Sequence, residues 1–291
     1  MKVMGLDFTS APSEHKPITS ADSTLQNGVL SVQHITSIPS FESFENYLKQ
    51  NGPWISGLDF PFGQPWTLLS ALGLPAAWEN YVRSIRELGR AGFKEEVERY
   101  RAGQPSGQKE HNRIADSLAN AQSPMKFVNP PVALMFFEGA SCLLESGVSV
   151  IPCRLIADEN RVVVEAYPAL VARRFAGSYK SDTQNKQTGE MRVARGKIVA
   201  GLESDALRAE FGFTVHLAQA DKDACIDDAT GDKLDAVLCA VQAGWAYTRR
   251  NRDYGVPTRR HPVVKAEGWI VDPLLVMGRS AAREMADGQL E

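Results

Sequence analysis

Two stretches of this chain repeat one another. Val3-Met4-Gly5-Leu6-Asp7-Phe8 and Trp54-Ile55-Ser56-Gly57-Leu58-Asp59-Phe60 are both apolar, both share Gly-Leu-Asp-Phe, and both break just after the acid. Continuous apolar runs of this length read as strands covered on both faces, in the middle of a sheet with helices packed on either side. An Asp at the end of each puts two carboxylates at one edge of that sheet. Like charges held together in a low dielectric oppose each other's ionisation, and a cation resolves the conflict. In each stretch the glycine precedes the acid by two positions. It therefore shares the acid's face and is expected to leave room beside the carboxylate.

The elements between and after these strands follow from local signals. Residues 17–24 and 29–35 read as two strands around Gln26-Asn27-Gly28, a strong hairpin turn. Ser40 caps a short helix over 40–50, with Phe41, Phe44 and Leu48 on one face. From residue 66 to about residue 125 the pattern is helical and polar, and it reads as an insertion because strand signals resume after it. A buried helix is expected over 132–145, a strand pair over 149–156 and 161–165 turned at Asp158-Glu159-Asn160, and a short helix opening at Pro168. Residues 179–197 read as a polar loop running into a helix over 189–202, and residues 231–250 as the clearest helix of the C-terminal half. The order of elements makes the chain a single α/β domain, 1–291, with a mixed sheet and flanking helices.

Composition narrows the class. The apolar and charged fractions, 43% and 23%, are ordinary for a soluble globular chain, and the formal net charge of −3 provides no global attraction to nucleic acid. Cys142, Cys153, Cys225 and Cys239 lack any CxxC spacing, and the chain opens directly on a strand. Reduced thiols and a cytoplasmic location are the expectation. No apolar run approaches the roughly 20 residues that span a bilayer, so no membrane partner is expected.

Three further acids join the two Asp residues. Glu165 ends the apolar run Val162-Val163-Val164, again with a helix following. Asp232 and Asp235 lie three apart at the start of an apolar helix, on one face of its first turn. The helix dipole accounts for Asp232; it accounts less well for Asp235, which a buried helix follows. An all-carboxylate set suits Mg²⁺ or Mn²⁺, and two such ions about 4 Å apart activate water and stabilise the leaving oxygen of a phosphodiester. His15, His34, His111, His216 and His261 show no paired metal spacing, which argues against a zinc enzyme.

Taken in order, Gly5-Leu6-Asp7-Phe8, Gly57-Leu58-Asp59-Phe60-Pro61-Phe62-Gly63, Glu165-Ala166-Tyr167-Pro168, Asp232-Lys233-Leu234-Asp235-Ala236 and Glu267-Gly268-Trp269-Ile270 resemble domain-of-unknown-function family 429. That family is regarded as one of predicted nucleases with the ribonuclease H-like fold. The resemblance implies a ribonuclease H-like mixed sheet and a metal-dependent nuclease. Asp7, Asp59, Glu165 and Asp235 are then its acidic site, Asp232 is a further ligand, and nucleic acid is the partner. Many relatives have Glu, with its longer reach, at the second acid, where this chain has Asp59.

Phosphate contacts require cations: Lys180, Lys186, Arg192, Arg195 and Lys197 mark the polar loop, Arg249, Arg250, Arg252, Arg259, Arg260 and His261 cluster after the Asp235 helix, and of these Lys180, Arg192, Arg249 and Arg250 are the substrate-binding candidates. Helix-terminal arginines also satisfy the dipole without any ligand. Trp66, Trp78, Phe62 and Tyr254 are candidates for base stacking and equally for core packing. Two other functions compete. An actin-like or sugar-kinase-type phosphotransferase shares the core sheet, but no glycine-rich phosphate loop follows Asp7. A non-catalytic scaffold would keep the fold without the chemistry.

Overall fold

The computed structural model describes residues 1–276 and 279–290. Its seven strands are β1 (Lys2–Asp7), β2 (Ile18–Gln26), β3 (Val29–Ile38), β4 (Trp54–Asp59), β5 (Ser149–Ile151), β6 (Arg161–Glu165) and β7 (Thr214–His216), and they pair in the order β5-β6-β4-β1-β2-β3-β7. β1 is the middle strand. Only β2 runs against the others, because β1–β4, β4–β6, β5–β6 and β3–β7 are all parallel pairs. The sheet is therefore mixed, as the order of elements suggests, and helices cover both faces.

The local signals act where the sequence places them. Asn27 and Gly28 both take positive φ, 52° and 75°, as a two-residue turn between β2 and β3 requires. Ser40 caps α1 (Phe41–Leu48) by accepting from the Ser43 amide at 3.1 Å. α2 (Trp66–Ala71), α3 (Trp78–Ala102, broken at Gly89) and α4 (Ile114–Ala119) lie in the stretch with the helical, polar pattern. α5 (Val132–Ser146) and α6 (Pro168–Ala172) follow. α7 (Gly189–Leu202), α8 (Asp205–Phe211), α9 (Gln219–Asp227) and α10 (Asp232–Thr248) complete the main body, ahead of α11 (Pro262–Glu267), α12 (Pro273–Val276) and α13 (Arg279–Asp287).

One expected pairing is different. Residues 149–156 and 161–165 do not form a hairpin around Asp158-Glu159-Asn160. β5 and β6 are parallel, because the chain already reverses after Ile151, where Val150 and Arg154 exchange backbone hydrogen bonds. β7, α8 and α9, too short to carry a clear period, are additions to the elements read from sequence.

Alternation along the strands builds two cores. Val3, Ile55, Val162 and Val164 face α6, α7, α8 and α10. Met4, Leu6, Leu58, Val163 and Val150 face α1, α3 and α5. Among the described residues no helix is long and apolar enough to cross a membrane.

Candidate functional site

The two Gly-Leu-Asp stretches lie in register. Across the parallel β1–β4 pair Gly5 faces Gly57, Leu6 faces Leu58, and Asp7 faces Asp59, so both acids leave the sheet on one face at the carboxyl ends of adjacent strands. That face is covered by α10. A Cβ on Gly5 would lie 2.1 Å from the Ala236 carbonyl oxygen and the Ala240 amide nitrogen; one on Gly57 would lie 2.4 Å from the Cys239 carbonyl oxygen. The glycines thus admit helix backbone, which corrects the expectation that they clear space for the carboxylates. This close approach delivers Asp235, on the first turn of α10, to the other two. Asp7, Asp59 and Asp235 each present an oxygen within 4.8 Å of the others'.

Their partners are few. Asp235 is fully buried; it accepts from the Tyr179 hydroxyl at 2.5 Å and from Lys180 Nζ. The Tyr179–Lys180 segment is itself held by buried Arg195, which donates to the Tyr179 and Ile226 carbonyls at 2.7 Å each. Asp7 and Asp59 accept no side-chain or backbone hydrogen bond and form no ion pair among the described residues. Burial pushes the Asp7 carboxyl well above the usual carboxylate range, opposed by Lys180 and reinforced by Asp235, Asp232 and Asp59. Burial likewise pushes Asp59 up to about 7, again opposed by Lys180 and reinforced by Asp235 and Glu165. Burial lowers the Lys180 ammonium, but Asp235, Tyr179, Asp7 and Asp59 outweigh it and hold the group charged. Asp232 is half-buried on the same cleft, raised by burial and by Asp228.

Glu165 is not brought to this trio. In the β4–β6 pair it stands opposite Leu58, one position short of Asp59, and a one-residue offset turns a side chain to the other face. There it meets Arg113, which is 1% exposed. Arg113 grips both Glu165 oxygens, at 2.8 and 2.5 Å, and both Asp116 oxygens, at 2.9 and 2.7 Å. The Phe62 amide also donates to Glu165. Glu267, buried beside them, accepts from the Trp66 and Ile114 amides and ties α2 and α4 to the end of α11.

Asp7 and Asp59 open into a cleft of about 850 Å³, which Asp232 and Glu165 also line, whereas the fully buried Asp235 does not line it. Of the expected phosphate contacts only Lys180 lines it. Arg192 is exposed and paired with Asp227. Arg249 and Arg250 lie at the far end of α10, about 21 Å from Asp235 along the axis, stacked on Trp245 and Tyr247. Phe62 and Trp78 are core residues. Lys16, Arg113 and Asp116 line the cleft without having been recognisable as candidates in sequence; Tyr167 and Lys186, read there only within a motif and a loop, line it too.

Residues 149–259 match the model of a family described as Protein of unknown function (DUF429). This is the family that the sequence motifs resemble. The DUF429 match carries β5, β6 and α6 to α10, hence Glu165, Lys180, Asp232 and Asp235, while Asp7 and Asp59 lie outside it. No curated protein and no solved structure matches the chain.

Proposed function

We propose that this chain is a divalent-metal-dependent nuclease, hydrolysing phosphodiesters from a ribonuclease H-like scaffold. A central first strand with an antiparallel hairpin pair on one side and the fourth strand on the other supports the scaffold. The observation that carries the chemistry is the trio Asp7, Asp59 and Asp235. Three carboxylates against one ammonium leave a formal charge of about −2, in an all-oxygen donor set, which fits Mg²⁺ or Mn²⁺. Asp7, Asp59 and Asp235 would hold the ion, and Asp232 is the acid available for a second. When bound, such ions polarise a phosphoryl oxygen and supply hydroxide at neutral pH. Lys180, released from Asp235, is placed to meet a substrate phosphate, and the Thr9 and Ser10 hydroxyls line the same cleft.

The test is Mn²⁺ titration with phosphodiester cleavage. Asp7→Asn and Asp235→Asn are expected to abolish cleavage with the fold intact; undiminished cleavage by both defeats the reading. The Lys180–Asp235 pair favours a second reading, a scaffold whose acids are neutralised internally. Identical Mn²⁺ heats for the wild type and Asp59→Ala would select that one.

A further inference from the structure

Resting on the nuclease reading, we infer that the cleft takes a single nucleotide, free or at the end of a single strand, and not the interior of a duplex. Duplex DNA carries about one negative charge per 1.7 Å, and proteins that track it present several free lysines or arginines. Four cations line this cleft, and three are already engaged: Lys16 with Asp182 at 3.0 Å, Arg113 with Asp116 and Glu165, and Lys180 with Asp235. Of these four, Lys186 is the one with no side-chain partner among the described residues. Lys186, the released Lys180 and a bound cation match one or two phosphates. The arginines at the far end of α10 do not extend this surface.

The Lys16–Asp182 pair joins the β1–β2 loop to the loop before α7 on one side of the cleft. On the other, the α4–α5 connection and the start of α5 contribute Ala121, Pro130, Pro131, Val132 and Met135, an apolar wall. Tyr167 lines it as well, its ring fixed by Arg173, whose guanidinium lies 5.3 Å from the ring centroid and donates to the hydroxyl at 3.1 Å. A cleft of about 850 Å³ falls within the roughly 300–1,000 Å³ of small-molecule sites, which combine apolar walls with few polar groups. A planar base against the wall with its phosphate at the acids uses both halves.

The experiment is equilibrium binding of thymidine 5′-monophosphate to the Mn²⁺-loaded chain, with blunt duplex as competitor, and hydrolysis of pdTpdT, a linear single strand and a circular single strand. Thymidylate is expected to bind without displacement by duplex at equal phosphate concentration, and pdTpdT and the linear strand to be cleaved in preference to the circle. Met135→Trp, which fills the apolar side, is expected to weaken thymidylate at least about tenfold with Mn²⁺ affinity kept within about twofold; Ala121→Trp repeats the test from the α4 end should Met135→Trp not fold. Displacement by duplex, or no thymidylate binding, overturns the inference. Thymidylate binding with no hydrolysis of any substrate defeats the nuclease reading and leaves this substrate class standing; cleavage of the circle without nucleotide binding does the reverse.

Discussion

Asp7 and Asp59 are register partners on adjacent parallel strands, and each leaves the sheet toward Asp235 on the helix that crosses them. A metal ligand and a carboxylate that merely ends a strand differ in what their removal does. Asp59→Asn deletes one charge from a crowded site, so at pH 8 the metal-free variant should be at least as stable as the wild type. It should also lose the rise in melting temperature that Mn²⁺ confers by binding the folded state. Thermal melts of both proteins, with and without Mn²⁺, measure this; an unchanged Mn²⁺ shift removes Asp59 from the ligand set.

The same carboxyl makes stability depend on pH. Burial lifts Asp59 from 3.8 to about 7 in the folded chain. A carboxyl raised in this way holds its proton more tightly when folded. Its contribution is fully present below the unfolded pKa and lost as pH rises through the folded one. Relative to Asp59→Asn, the wild type should therefore lose stability between about pH 4 and pH 7 and level off above. Mn²⁺ must displace that proton, so its affinity should climb over the window. Denaturant midpoints and Mn²⁺ titrations at stepped pH measure both; a pH-independent difference between the two proteins defeats the assignment.

Gly5 and Gly57 set the distance between sheet and helix. An alanine at position 5 would drive its Cβ to 2.1 Å from α10 backbone atoms, which no rotamer change relieves. Gly5→Ala should cost at least about 1–3 kcal/mol, the usual range for overpacking a core, and weaken Mn²⁺ binding by shifting Asp235. Chemical denaturation and metal titration read the two effects separately. A stable Gly5→Ala chain with normal Mn²⁺ affinity would mean that the contact does not position the acid.

Asp7 and Asp59 were legible because a repeated motif on buried strands has few ways to fold. Asp235 was legible as an acid opening an apolar helix. The glycine spacing gave their face but not what fills it. Glu165 looked equivalent to the two Asp residues, but which face it takes depends on a one-residue register offset between β4 and β6 that no local pattern encodes. Arg113, which holds Glu165, Tyr179, which donates to Asp235, and the cleft residues Lys16 and Tyr167 come from loops and helix ends whose placement depends on the whole chain. Arg249 and Arg250 were drawn in by closeness in sequence to Asp235, though a helix separates its two ends by its full length.

Glu165 and Arg113 give the sharpest contrast with the trio. The pair is buried and closed by Asp116, so both oxygens of Glu165 are taken by the guanidinium. Glu165→Gln should leave Mn²⁺ affinity within about threefold of wild type, because a residue outside a metal's first shell typically matters by at most about 10–100-fold and Glu165, though it lines the same cleft, has both oxygens held by Arg113. Stability should fall, since Arg113 then faces one fewer charge. Arg113→Met should be worse, by about 3–5 kcal/mol, because it leaves Glu165 and Asp116 buried without a counter-charge. Both variants go through the same denaturant and Mn²⁺ titrations. A collapse of Mn²⁺ affinity in Glu165→Gln with stability untouched would return Glu165 to the metal site, and the trio would then be incomplete without it.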